Sequence, residues 1–329
     1  MPASKDKHTA LYYADGLRSG DIALLSRAIT FVESTSPAHR TLAREIITLC
    51  GSPKQNTFRL GITGVPGAGK STFIESFGAH VLKAGHKLAV LAVDPSSVKS
   101  GGSILGDKTR MTQLSASENV YIRPSPSGGA LGGITRVTYQ TISLCEAAGF
   151  DYVIVETVGV GQSEVAVGRI TDFFLLLMLA GAGDDLQGIK RGIMEMADAL
   201  VFTKADSGNE KRAATARSEF AKVMHLLQPP DSGWKPPVLT CSAIENKGIA
   251  EVFKVTEKYR LQTSGSGYFE QNRFRQQIQI FTEALEQEVL LKFYKTFDLK
   301  KKLRDLKYRN TAIDPFEEVA SVLRETGLG

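Results

Sequence analysis

Gly64-Val65-Pro66-Gly67-Ala68-Gly69-Lys70-Ser71 stands between the apolar run Arg59–Thr63 and a segment that places Ile74, Phe77, Val81 and Leu82 on one helical stripe, closed by Gly85. This is G-x-x-x-x-G-K-[ST] in the strand–loop–helix setting the motif requires. Glycines let successive backbone N–H groups turn inward around phosphate with no Cβ in the way. The helix beginning there adds the positive end of its dipole. Gly64, Pro66, Gly67, Ala68, Gly69, Lys70, Ser71 and Thr72 are therefore candidate nucleotide contacts. Lys70 supplies charge to the β and γ phosphates, and Ser71 a hard hydroxyl oxygen suited to Mg2+. Val65, Pro66 and Ala68 exclude the partitioning-type ATPases, which carry an extra lysine early in this loop.

Working outward, short apolar runs alternate with helical stretches: Arg59–Thr63, Leu88–Val93, Val120–Ile122, Tyr152–Val155, Phe173–Leu179, Ala199–Thr203 and Val238–Cys241. Most lack polar alternation, as strands covered on both faces do. The pattern predicts an α/β fold, a doubly wound and mostly parallel sheet, over residues 53–262. Residues 1–52 read as an N-terminal helical extension, with Leu24, Leu25, Ala28, Ile29 and Val32 at helical spacing. Thr263-Ser264-Gly265-Ser266-Gly267 reads as a hinge into a C-terminal helical arm over 263–329, with Phe274, Ile278, Phe281, Leu285, Val289 and Phe293 on one stripe. A last helix is predicted from Pro315.

Doubly wound sheets bind ligands at the carboxyl ends of their strands, and the polar residues cluster there. Thr203-Lys204-Ala205-Asp206 closes one strand in the manner of the N/T-K-x-D element of GTPases. A carboxylate there can accept from the N1–H and N2–H2 of guanine, a donor pair that adenine lacks. The Lys204 stem can pack along the base. Thr203 replaces the more usual Asn, which predicts weaker support of the phosphate loop. Cys241-Ser242-Ala243 reads as the short loop that covers guanine through its backbone, with Ser242 and Ala243 as contacts.

Asp94 and Glu156 each close a strand and, with Ser71, are the metal-site candidates; Asp107 is a third carboxylate. Lys70, Asp94, Glu156 and Gly159 form the candidate catalytic set. Gly159 offers its N–H to the γ phosphate, and Gln162 is a candidate for orienting water. Glycine-rich stretches at 99–106, 127–133 and 181–190 suggest a site that changes shape with its nucleotide.

Composition sets the outer bounds. The 329 residues carry 40 Lys+Arg against 35 Asp+Glu, an excess too small and too dispersed to argue for nucleic acid. Hydrophobic residues make up 42% and charged residues 23%, which excludes disorder as the main state. Cys50, Cys145 and Cys241 form no CxxC pair and the histidines no cluster, which argues against a disulfide framework, a cysteine-rich metal site or nickel delivery. The apolar run Phe173–Ala180 is far shorter than the ~20 residues of a spanning helix. The first residues contain no apolar core of signal-peptide length, so the expectation is a cytoplasmic protein with no membrane partner.

GVPGAGKST at 64–72, AVDPSS at 92–97, GGSILGDKTRM at 101–111, IRPSPSGGALGG at 122–133, ETVGVGQSE at 156–164 and GAGDDLQGIK at 181–190 together resemble the MeaB/ArgK family of P-loop GTPases, to which the methylmalonic aciduria type A protein belongs. The resemblance implies a homodimer that binds an adenosylcobalamin-dependent methylmalonyl-CoA mutase or a related acyl-CoA mutase, gating loading of the cofactor and protecting the mutase. It also implies GTP and GDP as bound nucleotides with Mg2+, dimer contacts from the C-terminal arm, and a partner-coupling switch at 181–190 with Asp184, Gln187 and Lys190 as its contact residues. The chain shows no cobalamin-binding histidine motif, so cobalamin is expected on the partner alone. No motif assigns an arginine finger, although Arg110 and Arg191 lie in candidate loops, so slow intrinsic turnover is expected. The rival readings are an ATP-dependent kinase or ATPase linked to arginine/ornithine transport, which Asp206 opposes, and a module that binds nucleotide only for structure.

Overall fold

The apolar runs become β1 (Phe58–Gly64), β2 (Leu88–Asp94), β3 (Val120–Pro126), β4 (Tyr152–Thr157), β5 (Phe173–Leu179), β6 (Ala199–Thr203) and β7 (Val238–Thr240). They join in one sheet in the order β3-β2-β4-β1-β5-β6-β7, parallel at every pairing. The computed structural model describes residues 9–51, 57–94, 111–126, 131–157, 163–180, 191–226, 231–309 and 312–327.

Helices α1 (Ala10–Arg18), α2 (Ile22–Glu33) and α3 (Pro37–Cys50) precede the sheet. Asp21 starts α2 by accepting from the Ala23 and Leu24 N–H groups at 2.8 and 3.0 Å. All five apolar residues read as the α2 stripe are buried. Between strands run α4 (Lys70–Lys83), α5 (Thr112–Ser115), α6 (Leu131–Ala147), α7 (Ser163–Gly168), α8 (Arg191–Met196) and α9 (Glu210–Leu226). The chain continues as α10 (Ile249–Gly265), α11 (Tyr268–Thr296), α12 (Leu299–Arg309) and α13 (Pro315–Glu325). Phe73, Ile74, Phe77 and Val81 of α4 and Ile249, Val252 and Tyr259 of α10 pack against Phe58, Leu60 and Ile62 on one face of the sheet. On the other face, Leu176, Met178, Leu200 and Phe202 meet Ala213 and Met224 of α9. Both faces of the central strands are thus buried, as the unbroken apolar runs require.

The predicted hinge is a tight turn. Thr263, Ser264 and Gly265 complete α10, and the break is confined to Ser266 and Gly267, whose φ is 74°. Thr263 is fully buried, and its hydroxyl donates to the Tyr259 carbonyl at 2.8 Å. That burial outweighs the weak helix propensity of a Ser/Gly-rich stretch.

Charge is buried at the amino-terminal rim of the sheet. Arg59, inside β1, donates through Nε and Nη2 to the two oxygens of Glu146 on α6 at 2.7 and 3.0 Å. Burial opposes its charge, but Glu146, with smaller contributions from Asp172 and Tyr139, more than offsets this and holds the guanidinium above its usual pKa. Asp172, just before β5, accepts the Arg59 backbone N–H at 2.8 Å and both Nε and Nη2 of Arg273 on α11, at 2.8 and 2.6 Å.

The chain divides into two units, 1–276 and 277–329. In the second, Asp314 caps α13, and Lys302 of α12 reaches Glu318 and Glu325 at 3.2 and 3.3 Å. Among the described residues no helix is long and apolar enough to cross a membrane.

Candidate functional site

Strand β1 delivers the phosphate loop at the carboxyl rim. Gly64 pairs with Leu177 of β5, and a Cβ at Gly64 would lie 2.4 Å from the Leu177 carbonyl oxygen. Gly67 and Gly69 adopt left-handed backbone, φ 79° and 78°, which turns the chain into α4. Lys70 folds back over the loop, its Nζ donating to the Gly64 carbonyl at 3.0 Å. Burial lowers its pKa, while the carboxylates of Glu156 and Glu164 oppose the shift. The ammonium is thus held among backbone dipoles and two carboxylates, where triphosphate oxygens could take over from the Gly64 carbonyl.

Glu156 stands beside the loop because β4 pairs with β1, Ile62 opposite Glu156. It is 4% exposed, and its Oε1 accepts from the Ser71 hydroxyl at 3.4 Å. Behind it, Thr157 donates to Thr63 across the same strand pair at 2.9 Å. Asp94 ends β2 at the same rim, opposite Pro126.

The base-side loop adjoins the phosphate loop. The Thr203 hydroxyl lies 2.7 Å from the Ala68 carbonyl and 3.1 Å from the Met178 carbonyl. The Thr203 hydroxyl thus does reach the phosphate loop from the end of β6. Lys204 has φ 54°, and its Cε lies 3.8 Å from where a Cβ on Gly69 would stand. Its stem runs along the phosphate loop. Asn209 donates to the Lys204 carbonyl at 3.1 Å and so holds this backbone. Asp206, 9% exposed, accepts a short hydrogen bond from the Ser242 hydroxyl, which ties the two purine-side loops together.

The structure therefore brings Gly64, Pro66, Gly67, Ala68, Gly69, Lys70, Ser71, Thr72, Glu156, Thr203, Lys204, Asp206, Ser242 and Ala243 to one rim of the sheet. Asp107, Gly159, Asp184, Gln187 and Lys190 lie outside the described residues, as do Gln162 and Arg110; of Asp94 and Arg191 only the backbone is described. Glu164, 1% exposed and electrostatically coupled to Lys70, was not singled out by the sequence reading. Its position one residue into a short helix offers no motif by which to find it.

The donor set suits a hard cation: one hydroxyl and one carboxylate in contact beside the phosphate loop. Among the described residues no group of three His, Cys, Asp or Glu side chains gathers to hold a metal ion. Mg2+ asks for no such cage, since it is bound through one or two protein oxygens, substrate phosphates and water.

Residues 25–298 match the model of the family described as methylmalonyl-CoA mutase-associated GTPase MeaB. GTPase ArgK of Escherichia coli is 46% identical over 91% of this chain and 91% of its own. The mitochondrial methylmalonic aciduria type A homolog of Mus musculus is 46% identical over 85% of this chain and 70% of its own. A crystal structure described as LAO/AO transport system kinase superposes with a TM-score of 0.78 at 36% identity, covering 99% of this chain and 100% of that one.

Proposed function

The chain belongs to the MeaB family of GTPases, and we propose that it is a regulatory G protein that gates cofactor loading and protection of an adenosylcobalamin-dependent methylmalonyl-CoA mutase or a close relative of that enzyme. The observation that carries the nucleotide reading is the join of the two half-sites, Thr203 hydroxyl to Ala68 carbonyl at 2.7 Å. One rigid rim presents amides and an ammonium for phosphates beside a carboxylate for the purine.

In this reading Lys70 and the loop amides bind the β and γ phosphates, and the charge that develops in the transition state meets donors already in place. Ser71 and Glu156, with Asp94 and Asp107, would hold Mg2+. When bound with the nucleotide, that ion neutralises charge on the β and γ oxygens. Gly159 adds an N–H near the γ phosphate, and Asp206 with Lys204 holds guanine. Asp184, Gln187 and Lys190 form the segment that senses the mutase, and cobalamin stays on the partner. No motif assigns an arginine finger, so slow intrinsic turnover is the expectation.

Phe274, Ile278, Phe281, Leu285 and Val289 are 62, 51, 64, 52 and 54% exposed, which supports α11 as the contact between two copies in a homodimer.

The transport-kinase description of a solved relative supports a second reading, with ATP as substrate. Asp206 opposes it, because adenine has no donor pair to match a carboxylate. The test is single-turnover hydrolysis of GTP and ATP, with and without the mutase of the same host. The expected result is GTP preference and acceleration by the mutase of roughly tenfold or more. Equal rates with and without it, or ATP preference, would overturn the proposal. Lys70→Ala should abolish turnover.

A further inference from the structure

The purine-side turn is fastened to the phosphate-loop helix by side chains that belong to neither motif. Ser76, five residues beyond Ser71 on α4, donates its hydroxyl to the Ala243 carbonyl at 2.7 Å. One turn further along the same face, His80 Nε2 lies 3.1 Å from Asn246 Oδ1. Between these braces the turn is closed by reciprocal backbone bonds of Ser242 and Lys247, 2.9 and 3.0 Å long. Ser242 is thus fixed on one side of the Ala243 N–H, and the Ala243 carbonyl on the other. The N–H between them has little freedom to turn. A buried N–H that meets no acceptor costs more than a made bond gains, so its aim discriminates between bases.

We propose that Ser76 is a positioning residue for purine selectivity: by holding the Ala243 carbonyl it keeps the Ala243 N–H directed at an oxo group on C6 of the base. Asp206, which the Ser242 hydroxyl holds beside that turn, reads the amino group on C2 at the other end of the same edge of the base. The proposal rests on the guanine reading given above and divides that selectivity between two groups. Guanine and hypoxanthine both present the C6 oxygen, whereas adenine presents an amine that cannot accept. Guanine and hypoxanthine differ only at C2. The two devices are therefore separable by choice of nucleotide.

The experiment is calorimetric binding of GDP, IDP and ADP with magnesium to the wild-type chain, Ser76→Ala and Asp206→Asn, with ADP carried to millimolar concentration. Ser76→Ala is expected to weaken GDP and IDP equally, by about three- to tenfold, the loss of one hydrogen bond's positioning. ADP should change by less than about twofold, and the GDP:IDP ratio should hold. Asp206→Asn should collapse the GDP:IDP preference. Equal weakening of all three nucleotides by Ser76→Ala would reduce Ser76 to a support of α4 and overturn the proposal. No change with GDP, or a changed GDP:IDP ratio, would also overturn it. If Asp206→Asn leaves the GDP:IDP preference intact, the guanine reading itself fails, independently of Ser76.

Discussion

The Thr203 hydroxyl donates to the Ala68 carbonyl at 2.7 Å across 135 residues of sequence, so that the end of β6 holds the phosphate loop in shape. Thr203→Val keeps volume and removes the donor. We expect GDP and ADP to bind about three- to tenfold more weakly and alike, because the defect lies under the phosphates and not at the base. Thr203→Ser should restore both. A loss confined to GDP in titration calorimetry would contradict this.

Asp198 gives a pH dependence of unusual sign. Burial, with a smaller contribution from Asp172, pushes its pKa up to about 7, although the Phe174 N–H donates to it at 2.8 Å. In the unfolded chain the value is ~3.9. The folded state therefore holds the proton more tightly. The contribution of this group is full below about pH 4 and is lost as pH rises through about 7. Asp198→Asn keeps an acceptor for Phe174 and removes the titration. The shift alone would suggest roughly 4 kcal/mol, but the residue is only half-buried, so about 1–3 kcal/mol of stabilisation at pH 8 is expected, with little at pH 4. Urea unfolding at both pH values measures it.

Arg273 and Asp172 form a buried two-point ion pair. Arg273→Ala leaves a carboxylate with the Arg59 N–H but without its cation. The expected destabilisation is about 3 kcal/mol, read from the shift in denaturant midpoint. Hydrolysis at a temperature where the variant stays folded should be unchanged, since the pair lies at the rim opposite the phosphate loop.

Phe281 is 64% exposed in the middle of the α11 stripe. If that stripe joins two copies, Phe281→Glu should convert the wild-type dimer to monomer at micromolar concentration, as followed by light scattering. The folded monomer should keep its nucleotide affinity. A monomeric wild-type protein would defeat the prediction.

The sheet was legible in the sequence because strands buried on both faces must be apolar throughout. Phe173–Leu179 and Ala199–Thr203 are strands over the residues that the pattern marks. The phosphate loop was equally plain, since its glycines answer a local demand of the backbone. What stayed hidden depends on long-range pairing. Arg59 looks misplaced in an apolar strand until Glu146 arrives from 87 residues away. Thr203 gives no sign in the sequence of its contact with the Ala68 carbonyl, 135 residues away. The Ser/Gly stretch at 263–267 looked flexible because propensity is local, whereas the burial that keeps Thr263 helical is not.

Gly64 lies five residues along strand β1 from Arg59, so roughly 17 Å of extended backbone separates the Arg59–Glu146 pair from the phosphate loop. Heat tolerance and turnover are consequently encoded at opposite ends of one beam and can be altered by disjoint sets of substitutions. Exchanging both members of that pair for well-fitted apolar side chains offers a thermostabilised scaffold on which the chemistry is left as it was.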